Sequence, residues 1–125
     1  MQRVRGIGGI FWKARDPKAL AAWYRDHLGV PVEDWGGASF KWAEHDARGD
    51  ASTVWSPFAA DTHYFEPSQA TFMVNFRVDD LDAMLAQLRA LGDSVDPKVD
   101  ESEFGRFGWV MDPEGNRIEL WQPPG

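Results

Sequence analysis

The sequence predicts an α+β fold in which two tandem βαβββ modules, residues 6–57 and 69–123, form an open cup. The first observation is an internal repeat, because two stretches of the chain each run from an extended apolar segment through an aspartate into an amphipathic helix. Lys13 and Arg77 occupy matching places in these stretches, about 64 residues apart. The second observation is that short extended segments separated by turn residues follow each helix. A helix can cover one face of such a sheet, which leaves the other face free to curve around a ligand.

The first module begins with an extended segment that leads into a helix. Asp16 is a suitable N-cap and Pro17 suits the first helical position, whereas Gly29 is predicted to end the helix. The apolar side chains of this helix recur at helical spacing and are expected to form one face: Leu20, Trp23, Tyr24 and Leu28. Three strands are predicted after the helix, at residues 30–35, 38–44 and 52–57, with a polar loop at 45–50.

The second module repeats this pattern after a linker at residues 58–68. Its helix is predicted to end at Gly92 and carries an apolar stripe of Leu81, Met84, Leu85, Leu88 and Leu91. Its strands are predicted at residues 94–100, 106–111 and 116–121. The last two strands are joined at residues 112–116, where a proline and a glycine favour a tight turn. Residues 100–103 are acidic and are predicted to form a solvated loop.

The composition of the 125 residues suits one domain and disfavours several classes of function. The net charge is −7 and no run of Lys or Arg occurs, so no nucleic-acid partner is expected. No stretch approaches the roughly 20 apolar residues that span a bilayer, and the start lacks a signal-peptide pattern, so we expect a cytoplasmic protein without membrane contact. Cysteine is absent, so a metal site would need His, Asp or Glu. The acidic charge and seven Trp favour an aromatic or cationic small ligand.

Two segments resemble the vicinal-oxygen-chelate superfamily, which includes glyoxalases, bleomycin-resistance proteins and extradiol dioxygenases. The stretch from Ile10 to Gly29 is similar to the opening strand and helix of that superfamily, and residues 111–120 are similar to its closing hairpin. The likeness extends from Gly6 to Pro123. It implies the cup fold named above and a homodimer. Some members hold a divalent metal in the cup and others bind a drug without metal, so the individual residues must decide between these functions.

The resemblance also indicates where metal ligands would lie. Metal-using relatives place one ligand on the first strand of each module, and the corresponding residues here are Gly9 and Met73. The ligand on the last strand of the first module falls near Trp55, so none of these three side chains suits a hard cation. Glu119 is the matching position that carries a carboxylate. We therefore expect no cofactor, and the alternative is a rebuilt Ni, Zn, Mn or Fe site that uses Glu119 and His63 of the linker.

Strand alternation predicts a mixed polar and aromatic set of side chains on the concave face. We expect Glu119, Lys13 and Arg77 to line an amphipathic pocket with aromatic walls. The alternative is that both cations lie in water at strand ends, with one of them paired to Glu119. The candidate ligand-binding residues are Phe11, Lys13, Trp42, Trp55, His63, Met73, Asn75, Arg77, Arg106, Trp109, Glu119 and Trp121.

Residues 104–109 place glycines beside Arg106 and aromatic side chains. This pattern predicts a mobile flap on which Arg106 binds a ligand carboxylate. The alternative is an ordinary loop leading into a strand whose Phe107 and Trp109 belong to the core.

Three functions are compatible with these residues. The first is a metal-free protein that binds an aromatic or cationic compound in the cup, as bleomycin-resistance proteins bind a drug. The second is a glyoxalase-type or dioxygenase-type enzyme with a reorganised divalent-metal site. The third is a metal-free enzyme with Glu119 as general base, because an apolar cup raises the pKa of a carboxyl group. The missing metal-ligand positions favour the first.

Overall fold

A computed structural model describes residues 1–42 and 51–125, and in that part of the chain seven strands and two helices form the predicted α+β fold. The strands are β1 Gly6–Ala14, β2 Ala38–Lys41, β3 Ser52–Ala59, β4 Phe72–Arg77, β5 Asp100–Ser102, β6 Gly105–Met111 and β7 Arg117–Gln122. The helices are α1 Pro17–Leu28 and α2 Leu81–Ala90. Neither of the two described helices has the length and apolar content needed to cross a membrane.

The described strands form one mixed sheet, in the order β2-β3-β1-β4-β7-β6-β5, which curves into a half-barrel. The first strands of the two modules, β1 and β4, pair antiparallel at its centre, and each has a parallel neighbour, β3 or β7. Gly9 pairs with Asn75 and Phe11 pairs with Met73. In the sequence repeat, Gly9 is equivalent to Met73 and Phe11 is equivalent to Asn75. Swapping the two modules therefore turns one of these pairs into the other, so the modules are related by a twofold-like axis between β1 and β4.

Both helices begin directly after an aspartate cap, and α1 ends before Gly29 as predicted, whereas α2 ends at Ala90, two residues before the predicted Gly92. The Asp16 side chain accepts a hydrogen bond from the backbone N–H of Ala19 at 3.1 Å, and Asp80 caps α2 through Ala83 in the same way. Gly29 has a φ of +68° and donates its N–H to the last turn of α1. A residue with a Cβ rarely adopts this conformation, which explains the glycine at that position.

The two helices bury their apolar residues to different extents. Under α2 a large core contains Val78, Leu81, Met84, Leu85, Val110 and Leu120. Under α1 the buried residues are Ala21, Ala38 and Trp55, with Tyr24 packed against them. Trp23 and Leu28 of the predicted apolar face of α1 remain 48% and 63% exposed, so that part of the prediction was wrong.

The predicted strand at residues 30–35 is absent from the described part of the chain. A turn forms there, because the N–H of Glu33 bonds to the carbonyl of Gly37 at 2.8 Å and the N–H of Gly36 bonds back to the carbonyl of Glu33 at 2.9 Å. These bonds use backbone groups that a strand would give to its neighbour. The predicted strand end at residues 43–44 and the loop at 45–50 lie outside the described residues.

The second module also departs from the prediction near its sheet edge. Residues 94–100 form an isolated bridge between Val95 and Val110 in place of a full strand. The next strand begins at Asp100, and β5 pairs antiparallel with β6, although residues 100–103 had been predicted as a solvated loop. Acidic side chains on an edge strand can face water while the backbone pairs inward, which accounts for the difference.

Leu85 provides a test of the packing between α2 and the sheet. It is 2% exposed, and a Cβ added to Gly108 of β6 would lie 3.1 Å from its Cδ1 atom. Leu85→Ala should lower the free energy of unfolding by about 2–5 kcal/mol, because it leaves a cavity in a close-packed core. Leu91→Ala is the matched control, since Leu91 is 65% exposed. Equal losses for both variants in urea denaturation would contradict this packing.

Candidate functional site

A cavity of about 530 Å³ opens on the concave face of the sheet and receives side chains from both modules. Its volume lies in the range of roughly 300–1,000 Å³ that is typical of small-molecule sites. The residues that line it are Gly8, Phe11, Trp35, Ser39, Val54, Asn75, Phe104, Phe107, Glu119 and Trp121. Most of these side chains are aromatic or aliphatic, and Glu119 is the one acidic or basic side chain among these described residues.

Glu119 is 2% exposed and its carboxylate accepts three hydrogen bonds. The side chain of Asn75 donates to Oε1 at 2.7 Å, the indole N–H of Trp109 donates to Oε2 at 3.0 Å, and the hydroxyl of Tyr64 also donates to Oε2. Asn75 and Trp109 are the direct neighbours of Glu119 on β4 and β6. The strand register therefore sets two of the three donors.

Burial raises the pKa of Glu119 above its ordinary value, because desolvation disfavours the charged carboxylate. The three hydrogen bonds and the charge of Arg117 oppose this effect on the pKa. The Arg117 guanidinium lies 5.0 Å from the ring centroid of Trp109 and pairs with Asp96 at 3.2 Å. Burial and the neighbouring carboxylate also raise the pKa of Tyr64, so its hydroxyl keeps its proton and remains a donor.

Tyr64 reaches Glu119 because the linker between the modules folds over the concave face. The next residue, Phe65, is completely buried against β1, β4 and β6. The buried side chains that surround Phe65 are Phe11, Met73 and Trp109. The Tyr64 ring stacks on Phe58, with ring centroids 5.6 Å apart. The linker thus fills one end of the half-barrel and leaves the cavity at the other end.

Four of the candidate residues from the sequence line the cavity: Phe11, Asn75, Glu119 and Trp121. The indole N–H of Trp121 donates to the backbone carbonyl of Phe104 at 2.8 Å, and its ring stacks on Phe107. Met73 and Trp109 are each 1% exposed and lie beneath the linker, outside the cavity lining. Trp109 nevertheless contacts the site through its bond to the Glu119 carboxylate.

Three other candidates, Trp42, Lys13 and Arg77, lie outside the cavity lining. The indole N–H of Trp42 donates to the hydroxyl of Thr53 at 2.9 Å. The ammonium of Lys13 lies 5.6 Å from the ring centroid of Phe65, at the end that the linker fills. Arg77 is 5% exposed, so it does not lie in water as the alternative had it. Neither cation lines the cavity, so the amphipathic pocket expected from the sequence lacks its two basic residues.

Trp55 lies on the face opposite the cavity, packed beneath α1. In the second module Asn75 pairs with Glu119. The equivalent of Asn75 in the first module is Phe11, which pairs with Ser56. Ser56 is therefore the counterpart of Glu119. The count along the sequence repeat had indicated Trp55, which is the residue before it. A shift of one residue along a strand reverses the face on which a side chain lies.

Arg106 also lies on the opposite face, where α2 packs. Its guanidinium bonds to Asp82 at 2.9 Å and to Glu101 at 2.8 Å. The proposed flap is the hairpin between β5 and β6, and these ion pairs direct Arg106 away from the cup. Phe104 at the tip of the same hairpin does line the cavity.

The residues around Glu119 do not fit a divalent-metal site. All three side chains that contact its carboxylate present N–H or O–H donors, whereas a metal needs further imidazole or carboxylate ligands. The His63 side chain is 89% exposed and its Nδ1 lies 2.7 Å from Glu66, on the outer side of the linker. Within residues 1–42 and 51–125 no group of three His, Asp or Glu side chains could hold a metal ion.

Three residues of the site, Tyr64, Trp35 and Phe104, were not among the candidates named from the sequence, although Phe104 lies in the proposed flap. Tyr64 and Phe65 form an aromatic pair inside an otherwise polar linker, and such a pair signals a segment that packs onto a core. Trp35 and Phe104 lie next to turn glycines and remain 54% and 66% exposed at the cavity. Isolated aromatic residues beside turns give no sequence signal that would assign them to one shared site.

Several solved structures have a similar fold. A Streptomyces coelicolor methylmalonyl-CoA epimerase in complex with 2-nitronate-propionyl-CoA gives a TM-score of 0.71 at 18% identity, covering 98% of this chain and 100% of that chain. The methylmalonyl-CoA epimerase of Mycobacterium tuberculosis gives 0.63 at 23% identity, covering 98% and 90%. A glyoxalase/bleomycin resistance protein/dioxygenase superfamily member from Vibrio splendidus 12B01 gives 0.61 at 14% identity, covering 98% and 99%. Identities this low establish the shared fold alone.

No curated protein sequence matches the chain. The profile of the family described as glyoxalase-like domain matches residues 9–121, which is most of the chain. The match includes both modules, the linker and the closing hairpin with Glu119. Fold and sequence profile agree, and the chain therefore belongs to the glyoxalase-like domain family of the vicinal-oxygen-chelate superfamily.

Proposed function

We propose that this protein binds an aromatic or cationic small molecule in the cavity and does so without a metal ion. The observation that carries the proposal is an aromatic-walled cavity in which Glu119 is the one charged side chain among the described lining residues. A negative charge in a low-dielectric site attracts a cation and repels an anion more strongly than it would in water. The cavity is therefore suited to a ligand that combines a ring with a positive charge or a hydrogen-bond donor.

The hydrogen bonds of Glu119 leave room for such a donor. A carboxylate offers about four acceptor positions. Two donors meet Oε2 and one donor meets Oε1, so one position on Oε1 is left for a ligand. The neighbouring Oδ1 atom of Asn75 is buried and has no hydrogen-bond partner among the described residues. A ligand N–H could donate to the free position of Oε1, and a second N–H could reach Oδ1 of Asn75 after a small movement of the amide.

The aromatic walls support the same ligand class. Trp35 and Phe104 come from different modules, line the cavity and keep about half or more of their surface exposed. A bound ring would cover this apolar surface, which is favourable. The faces of aromatic rings also attract organic cations.

A coenzyme A ester, such as the one bound to the epimerase from Streptomyces coelicolor, is chemically unlike this ligand. Its phosphates are anionic, and the described cavity lining contains no Lys or Arg to pair with them. The described cavity therefore does not favour the ligand bound to that epimerase.

The second candidate function is proton transfer with Glu119 as a metal-free general base. It is favoured by the raised pKa of Glu119, since a base works best when its pKa approaches the working pH. The test is exchange of an acidic C–H of a bound ligand with D2O, followed by NMR. Glu119→Gln should slow this exchange by roughly 100-fold or more. Equal exchange rates in both proteins would exclude this function.

The binding proposal predicts a ranking of ligands of equal size. For aryl compounds that carry an ammonium, a hydroxymethyl or a carboxylate group, quenching of Trp fluorescence should give the tightest binding for the cation and the weakest for the anion. We expect the cation to bind about tenfold more tightly than the neutral compound, which corresponds to about 1.4 kcal/mol. Glu119→Gln should bring this ratio close to one, because it removes the charge and keeps the shape.

Glu114→Gln is the matched control, because Glu114 is exposed in the turn between β6 and β7. Affinities should also be unchanged by a chelator. A cation preference that persists in Glu119→Gln, or binding that disappears with the chelator, would disprove the proposal.

A further inference from the structure

The affinity of the cavity for cations depends on whether Glu119 keeps its charge while it is buried. A buried carboxylate is ionised only when hydrogen bonds or nearby cations offset the loss of hydration. No described residue forms an ion pair with Glu119. The guanidinium of Arg117, which lowers the pKa of Glu119 by its charge, is already paired with Asp96. The ionised state therefore depends mainly on the three neutral donors.

We infer that Tyr64 of the linker is the specificity-determining residue that makes the cavity select cationic over neutral ligands, by holding the Glu119 carboxylate in its charged form. This inference rests on the proposed function and deepens it. Tyr64 is a positioning residue, because it acts on the ligand through Glu119 and does not line the cavity.

Tyr64 differs from the other two donors in its origin. Asn75 and Trp109 stand beside Glu119 because β4 and β6 pair with β7, so any chain with this register would bring them there. Tyr64 arrives from outside the sheet, on a linker segment anchored by the buried ring of Phe65. Its removal would take away one donor and leave the sheet intact.

The charged groups around the Glu119 carboxylate act on it less directly than the Tyr64 hydroxyl does. The charged side chains on this side of the sheet are Lys13 of β1, Arg77 of β4 and Arg117 of β7 itself, and Asp100 of β5 acts on Tyr64. Arg117 lowers the pKa of Glu119, whereas Asp100 acts on Tyr64 by raising the pKa of its hydroxyl. Arg117 acts on the carboxylate through its charge alone, whereas the Tyr64 hydroxyl bonds directly to Oε2. Hydrogen bonds to an ionised group are the stronger class.

The direction of the pH dependence follows from these contacts. Burial raises the pKa of Glu119, so cation binding should be present at high pH and decline as the pH falls through that raised value. Without the Tyr64 hydroxyl the charged form loses a stabilising bond and the pKa of Glu119 rises further. Cation binding should then decline at a higher pH, whereas binding of the neutral compound should change little.

The test is Tyr64→Phe, which keeps the ring that stacks on Phe58 and removes the hydroxyl. The titration midpoint of Glu119 is followed by NMR of side-chain ¹³C-carboxyl glutamate, with the signal assigned by its loss in Glu119→Gln. We expect the midpoint to rise by about one to two pH units, the shift that corresponds to one hydrogen bond to a charged group. At the wild-type midpoint the ratio of cation to neutral affinity should fall at least about threefold, because about half of the carboxylate then loses its charge.

Tyr24→Phe is the matched control, since the other tyrosine of the chain packs against Trp55 on the opposite face. A raised midpoint and a reduced ratio in Tyr64→Phe alone would support the inference. An unchanged midpoint, or an equal loss of affinity for all ligands, would overturn it while leaving the binding function in place. If no compound of the series binds the wild-type protein, the proposed function fails and the inference fails with it.

Discussion

The antiparallel pairing of β1 with β4 is the contact on which the rest of the molecule depends. It joins the first strands of two sequence repeats and makes one sheet out of two modules. The cavity exists only across this junction, since Val54 and Phe11 come from one module and Asn75 and Glu119 from the other. Neither module alone would have a concave face long enough to surround a ligand.

Strand register connects the fold to the chemistry of the site. Asn75 and Trp109 donate to Glu119 because they are its direct neighbours across the sheet. A slip of one residue in β7 would turn the carboxylate toward the apolar core under α2 and bring Leu120 into the cup. The cost of placing a charge in that core disfavours the slipped pairing. The same residue thus contributes to the cavity and to the uniqueness of the fold.

Local patterns of the sequence were sufficient to predict the repeat, both helices and the cap at Asp16, because capping depends on residues that are adjacent in the chain. Strand alternation likewise brought Glu119 and Asn75 to one face. The residue count along the repeat failed for Trp55, because the offset between the modules changes by one residue between β1 and β3, and this change is set by pairing between distant strands. Tyr64 was missed for a related reason, because the path of a linker is decided by the surface that it packs against.

The linker makes the two ends of the half-barrel different, although the sheet is built from two repeats. The twofold-like axis between β1 and β4 relates the two ends of the half-barrel, so the bare sheet offers two equivalent openings. One polypeptide has a single connection between its repeats, and this connection leaves β3 at the end where Ala14 and Ala59 are paired. The buried ring of Phe65 fills that end. The covalent connection between the repeats therefore breaks the symmetry of the sheet, and the cavity lies at the opposite end.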